Sequence, residues 1–366
     1  MSDAVVSLTT PEHLAGLPRF DAKSATAAAK RLLEFHGMIG NGDSRQDVGW
    51  TAMFARQLEY RYTETFDAIY PKFKARTLIP VDNRVPTGAE FFTYRQFNTA
   101  GSLAQIVHNY ADDAPQADIM GEEFAQRIVS VTSAYSYSIQ DMRAAAMSGV
   151  PLEAKKAENA REMIERKLED LAATGSLAVK QPNGTAFYGL LNAPGVVATT
   201  QVSSGTWAAQ YAADTSQDKT TSKAAIANDI NAMRQTVFNA TKGEAGDIGT
   251  MTLIVSTPVY SFLATTPRSI LYDNTGASLL TWLKDACGLV SIEFWNRVDT
   301  AGAGNKGRLM LYPKDPRVVS LIISQEFEQF APQPRNLGFL VNCHFRTGAV
   351  EVRYPLNLTY MDGPSP

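Results

Sequence analysis

Cysteine is nearly absent: Cys287 and Cys343 are the only two in 366 residues, far apart and outside any C-x-x-C spacing. That excludes a disulfide framework or a cysteine-based zinc site and predicts two small buried apolar residues in a reducing compartment. Histidine is scarce too. His13, His36, His108 and His344 stand at no metal-ligand spacing, and His344 and Cys343, as neighbours in an apparent strand, point to opposite faces. No run approaches the roughly 20 apolar residues of a membrane helix. The opening "MSDAVVSLTTPEHLAGLPRF" lacks a basic start followed by an apolar core, so the expectation is a chain made and kept in a cytosol, with no membrane partner. An excess of one charge is missing as well. Lys and Arg number 34 against 37 Asp and Glu, a net of −3, which argues against a chain devoted to free nucleic acid.

Catalytic signatures are absent in the same way. No G-x-S-x-G elbow or P-loop occurs. "GAGNKG" (Gly302, Gly304, Gly307) matches a dinucleotide fingerprint by letter, but strand-like "RLMLY" follows it, so no helix N-terminus is there to receive a pyrophosphate and a hairpin loop is expected. The pairs Asp112/Asp113 and Glu122/Glu123 read as solvated loop and helix-start charges. The expectation is therefore no catalytic residue, no cofactor, no metal and no enzyme.

What is present is apolar: 45% of residues, with 19% charged, enough for two or three packed units. Residues 1–70 read as an arm with little core of its own and a helix near 25–35. After it, "KARTLIPV" and "FFTYRQFN" are two strand-like runs flanking the turn-rich "DNRVPTGAE", which predicts a hairpin over about 71–100. Its apolar residues fall on both faces, and no helix inside the unit covers either. Such a ribbon is marginal alone and is expected to lie on another subunit. Arg84, Phe91, Phe92, Tyr94, Arg95 and Phe97 are the candidate contact residues, the two arginines facing acidic groups of a neighbour.

"RIVSVTSAYSY" alternates at period 2, as a half-buried strand does, and Ser138 with Asp141 has capping-box spacing before "IQDMRAAAMSG". The strongest element is "EAKKAENAREMIERKLEDLAATG". Ala157, Ala160, Ile164, Leu168 and Leu171 recur at steps of 3, 4, 4 and 3, one stripe of a helix over 153–173 that stops at Gly175. Glu162 with Arg166 and Arg166 with Asp170 are favourable pairs on the solvated face. "FYGLLNAPGVVATT" is apolar yet full of turn residues, a loop that either lines a pocket or is covered from outside its domain. Residues 200–340 alternate helices (Ile226, Ile230, Met233, Val237; "ASLLTWLKDA") with strands ("MTLIVS", "VSIEFWNRV", "RLMLY", "VVSLIIS"), a separate α/β unit. In "GAVEVRYPLNLTYMDG" strict alternation predicts one last strand, with Pro355 placing it at an edge.

In order, "RTLIPVDNRVPTGAEFFTYRQFNTAG", the segment from "YSYSIQDM" to "LEDLAATG", "FYGLLNAPGV" and "RTGAVEVRYPLNLTYMDG" resemble the major capsid proteins of tailed bacteriophages with the Hong Kong 97-type fold. The resemblance implies an α+β chain with an N-terminal arm (1–70), an extended loop (71–100) and a peripheral domain (101–196) holding a spine helix at 153–173. An axial α/β domain (197–338) and a C-terminal return to the peripheral domain (339–366) would follow. It also implies that the loop after the spine is an interdomain junction covered, like the hairpin, in an assembled shell. The function implied is self-assembly, through pentamers and hexamers, into an icosahedral head around double-stranded DNA held non-specifically on the inner face. Scaffold, portal and decoration proteins would be further partners, the virion its location and the host cytoplasm its place of assembly. An encapsulin-type compartment shell shares the fold and is the alternative; a nucleotide-dependent enzyme on residues 200–340 is the more remote one. Lys72 and Lys74 lie near the hairpin base, but nothing matches a cross-linking motif at its tip.

Overall fold

The computed structural model describes residues 72–104, 106, 115–149, 151–245, 250–268 and 277–364. The chain divides into two parts, Met1–Ile69 and Tyr70–Pro366. The first, with the expected arm and its helix, lies outside the described residues, and every described element belongs to the second.

The second unit begins with a one-turn helix α1 (Ala75–Leu78) and a short strand β1 (Val81–Asp82), then β2 (Phe91–Gly101), β3 (Ala117–Arg127) and β4 (Val129–Ser138). Helices α2 (Ile139–Ser148) and α3 (Leu152–Ala173) lead to the small strands β5 (Gly175–Lys180), β6 (Ala186–Tyr188) and β7 (Val197–Ala198). Next come α4 (Trp207–Ala213), α5 (Thr220–Ala240), β8 (Met251–Val255), α6 (Thr257–Thr265), α7 (Leu279–Ala286), β9 (Ser291–Phe294) and β10 (Arg308–Pro313). The chain ends in β11 (Val319–Gln329), β12 (Gln333–Arg335), β13 (Gly338–Val352) and β14 (Thr359–Asp362).

The first sheet is built on β13, flanked by antiparallel β4 and β11, with β1 parallel on the outer edge of β11 and β12 pairing near the β13 start. The long helix α3 lies on it. Ala160, Ile164, Leu168 and Leu171 are 1–4% exposed and Ala157 is half-buried, so the stripe faces inward, each large aliphatic contributing about 1.5–3 kcal/mol. Gly175 follows the helix at φ 70°; a Cβ there would sit 2.0 Å from the Phe187 carbonyl oxygen, so only glycine permits the reversal into β5. On the outer face Arg166 reaches Glu162 at 3.5 Å, and Asp170 pairs with Arg297 at 2.5 Å.

The second sheet runs β7-β14-β10-β8-β9 and is buried on both faces. Leu253, Val255, Leu309, Leu311 and Met361 pack with Ile226, Ile230, Met233, Val237 and Leu283 of helices α5 and α7. Alternate residues Ile254, Met310, Tyr312 and Tyr360 join the cluster that contains the spine stripe, Phe345 and Trp295. Two-sided burial explains why "MTLIVS" is apolar throughout. Two buried carboxylates tie loops to these cores. Asp229 accepts from the amides of Val202 (2.9 Å) and Ser203 (2.8 Å), from the Ser203 hydroxyl and from Trp207 Nε1 (2.8 Å). Glu169, on the spine, accepts from the amides of Lys74 (3.1 Å) and Ala75 (2.9 Å) and from Trp295 Nε1.

Several expectations are corrected. "KARTLIPV" is not a hairpin strand: Glu169 caps it as α1, Ala75, Leu78 and Ile79 are buried, and only Val81–Asp82 forms a paired strand, with Leu321 and Ile322. The hairpin is β2–β3, spanning 91–127 and not 71–100, so Glu122 and Glu123 are strand residues rather than helix-start charges. "VVSLIIS" forms β11 of the first sheet, not part of the α/β unit. The C-terminal segment is two strands in two sheets: β13 ends at Val352, a 3-10 turn holds Pro355, and β14 pairs with β10. Pro355 marks that crossover, not an edge strand. The junction loop is covered by its own chain. Leu190 and Leu191 are at most 1% exposed, and their carbonyls accept from Tyr360 Oη and Arg308. "GAGNKG" forms a 3-10 turn leading into β10.

Candidate assembly surfaces

The β2–β3 ribbon pairs eleven residues, from Phe91 with Arg127 to Gly101 with Ala117. At about 3.4 Å per residue it is roughly 34 Å long. Its base is fastened to the first sheet on one face. Gln126 donates from Nε2 to the carbonyls of Gly348 (2.6 Å) and Val350 (3.3 Å), while the amide of Ile128 donates to Glu90 O at 2.8 Å and closes the ribbon's own ladder. Phe92 lies against the backbone of β13: a Cβ on Gly348 would stand 3.0 Å from its ring and 3.1 Å from Ile322 Cβ. Tyr94 stacks on Phe124 with ring centres 5.1 Å apart and sits 5.8 Å from the Arg353 guanidinium.

Arg353 is the hub beneath the ribbon. It contacts Glu351 at 2.5 Å and Asp82 at 4.0 Å, and donates to Ser320 Oγ at 3.3 Å and Pro316 O at 2.8 Å. Burial pushes the Glu351 carboxyl up, offset in part by Arg353. The Tyr94 hydroxyl is pushed up to about 12 by burial and the Glu351 carboxylate. Arg84 and Asp82 pair at 2.5 Å, which with Arg353 holds Asp82 below the ordinary carboxylate range.

Beyond this anchored third, nothing among the described residues covers the ribbon. Phe97 is 70% exposed, Ile119 67% and Met120 68%, and Leu103 and Ile106 beyond the paired region are more exposed still. The Phe97 ring lies over the bare face of Gly121, 3.1 Å from where a Cβ would be. The six nominated residues therefore separate. Phe92 and Tyr94 anchor the ribbon to its own chain, while Phe91 and Phe97 are exposed. Arg84 and Arg95 each already hold a carboxylate of their own chain, Asp82 and Glu123 (3.2 Å). Ile119, Met120 and Phe124 were missed because "ADIMGEEFAQR" carries three carboxylates and a glycine, poor strand composition.

A second exposed apolar surface lies at the head of the spine. Ser138 and Asp141 form a reciprocal capping box (3.0 and 3.1 Å) that starts α2, a helix with no buried residue. Between it and the first turn of α3 is an open groove of about 590 Å³ lined by Tyr137, Met142, Ala145, Leu152 and Ala157. Among the described residues no cluster of His, Cys, Asp or Glu could hold a metal, and no helix is long and apolar enough to cross a membrane. Cys287 and Cys343 are buried free thiols, Cys287 pushed up to about 11 by burial.

Residues 102–363 match the model of the family described as Major capsid protein. A comparison with curated proteins returns no match. Among solved structures the chain is similar to the capsid of the myovirid phage XM1, with TM-score 0.68 and 18% identity over 85% of this chain and 98% of that one. The capsid of a native GTA particle is similar at 0.54 and 12% (88% and 100% covered), and that of cyanophage P-SCSP1u at 0.53 and 13% (83% and 92%). At such identities the likeness is one of fold, the Hong Kong 97-type α+β fold.

Proposed function

The chain belongs to the major capsid protein family, and from that premise we propose that its copies assemble, as pentamers and hexamers, into the icosahedral head shell that encloses a phage's double-stranded DNA. The family is one of structural proteins, and the virion is where such a protein resides. The match to major capsid proteins favours a DNA-enclosing head over a cargo-filled compartment of the same fold. In this reading β2–β3 is the extended loop, the first sheet with α3 the peripheral domain and the second sheet with its helices the axial domain. DNA on the inner face, scaffold, portal and decoration proteins, and assembly in the host cytoplasm belong to the same proposal.

The observation that carries it is the ribbon. An isolated two-stranded hairpin is marginal in water, yet this one extends well past its anchor with Phe97, Ile119 and Met120 in solvent. A neighbouring copy that covers them supplies the missing burial, on the order of 1.5–3 kcal/mol per large side chain. Replacing residues 96–122 by a short Gly/Ser turn keeps the Phe92 and Gln126 anchors. The variant is expected to stay folded, with the thermal transition of the wild type, and to form no shells in electron micrographs. Particles of normal size from the shortened chain would overturn the reading.

A further inference from the structure

Arg76, Arg297, Arg308 and Arg353 are half-buried, and each holds a carboxylate of its own chain at between 2.5 and 3.0 Å. Arg346, half-buried on β13, holds none among the described residues. Its Nη atoms donate to the carbonyls of Thr87 and Ala89 (2.9 Å for the second), and its Nε is buried without a partner. Neutral carbonyls leave the charge uncompensated, and a cation drawn out of water is costly unless an anion meets it. Arg346 lines an open crevice of about 630 Å³ at the ribbon base, together with Arg127, Lys180, Ser130 and a single carboxylate, Glu90.

Three separate elements bring the cations together. Arg346 and Ser130 stand opposite each other in the β13–β4 ladder. Arg127 ends β3 opposite Phe91, whose ring centre lies 5.8 Å from its guanidinium. The Arg127 amide donates to Gln181 Oε1 at 2.8 Å, which draws the β5–β6 hairpin, and with it Lys180, to the ribbon base. Among the described residues none of the three cations has an ion pair, and Glu90, in the same crevice, has none either. The missing ligand must therefore bring more than one carboxylate does. A phosphate group carries about −1.5 to −2 charge near neutral pH and three strong acceptor oxygens, enough for donors arriving from three elements, and guanidinium forks match its geometry. Along a nucleic acid, consecutive phosphodiesters supply the same charge.

We propose that the crevice at the ribbon base is a phosphate-binding site in which Arg127, Lys180 and Arg346 hold the phosphate group, the Ser130 hydroxyl donates to it and Glu90 opposes it. Free phosphate and a nucleic-acid backbone share this chemistry. The site does not rest on the shell reading, because its occupancy is a property of the single chain. One bound phosphate ties the ribbon base, the β5–β6 hairpin and β13 to the same ligand, so occupancy stiffens the root from which the ribbon extends.

The test titrates the full-length protein, at fixed ionic strength, with inorganic phosphate and separately with a short double-stranded oligonucleotide, and reads binding by calorimetry. The main variant is Arg127→Gln with Lys180→Gln, both exposed, so that folding is not at stake as it is for Arg346. Its affinity is expected to fall by at least about tenfold. Glu90→Gln removes the opposing charge and should tighten binding by about threefold. Lys167→Gln with Lys284→Gln, two exposed lysines on α3 and α7, removes the same charge elsewhere and should change nothing. Amide exchange at 127–130 and 178–181 should slow when the wild type is saturated and not in the crevice variant. Saturable binding of inorganic phosphate that the crevice variant loses supports the site with free phosphate as its ligand. Loss confined to the oligonucleotide supports it with the nucleic-acid backbone as the source. Binding of neither probe, an unweakened crevice variant, or an equal loss in the Lys167 and Lys284 control overturns the proposal. The shell reading is tested by particles and this one by binding, so either can fail alone.

Discussion

The two-sheet body and the β2–β3 ribbon are made of similar residue types and behave oppositely. In the body the two main apolar layers have partners within the chain: the spine stripe meets the first sheet, and the second sheet is covered on both sides. In the ribbon, Phe97, Ile119 and Met120 stay largely exposed among the described residues. Both regions contain aromatic and aliphatic residues, so composition does not distinguish a core from a contact surface. What does is whether a second layer lies within reach of the same chain.

Mutations that break the comparison fall in order. Leu168→Asp places an unpaired charge in the spine cluster at a position 1% exposed, a cost of several kcal/mol against a typical total of about 5–15, and should leave the chain insoluble or unfolded. Glu169→Ala leaves the Lys74 and Ala75 amides and Trp295 Nε1 without their acceptor. At about 1–3 kcal/mol for each of the two fully buried donors, Ala75 N–H and Trp295 Nε1, the expected loss is roughly 2–6 kcal/mol in chemical denaturation. Gly348→Ala presses a methyl against Phe92 and Ile322 where the ribbon joins the body, and should cost about 1–3 kcal/mol while changing the ribbon's inclination. Near-ultraviolet circular dichroism and assembly yield would register that change even if the body stays folded. Glu162→Ala removes only the exposed pair with Arg166 and should shift stability by less than about 0.5 kcal/mol. Equal melting temperatures for the Leu168→Asp and Glu162→Ala variants would show that the inward face of the spine has been misassigned.

Legibility in the sequence divides along the same line. The spine was legible because its stripe recurs at helical spacing and Gly175 has no tolerable substitute. The capping box at Ser138 was legible because two side chains three residues apart suffice to make it. The α5 face of Ile226, Ile230, Met233 and Val237 was visible for the same reason as the spine. The hairpin partner was not: β3 is polar because neither of its faces is buried in the lone chain, so alternation never appears. "KARTLIPV" looked like a strand because its aliphatics are dense, and its helical turn depends on a carboxylate 94 residues away in sequence. The last segment looked like one strand because two strands from different sheets happen to continue the same alternation across Pro355. The basic crevice gathers residues 127, 180 and 346, and only the fold brings them together.

The central claim is that the ribbon is held by its neighbours and the body by itself. Amide hydrogen exchange, measured on free subunits and on assembled particles, tests it most directly. In free subunits the amides of α3 and β13 should be strongly protected while those of β2 and β3 exchange through frequent opening. On assembly the ribbon amides should slow the most, by at least about 100-fold, or roughly 3 kcal/mol of added local stability. Ribbon amides as protected in the free subunit as those of β13, and unchanged on assembly, would contradict the account.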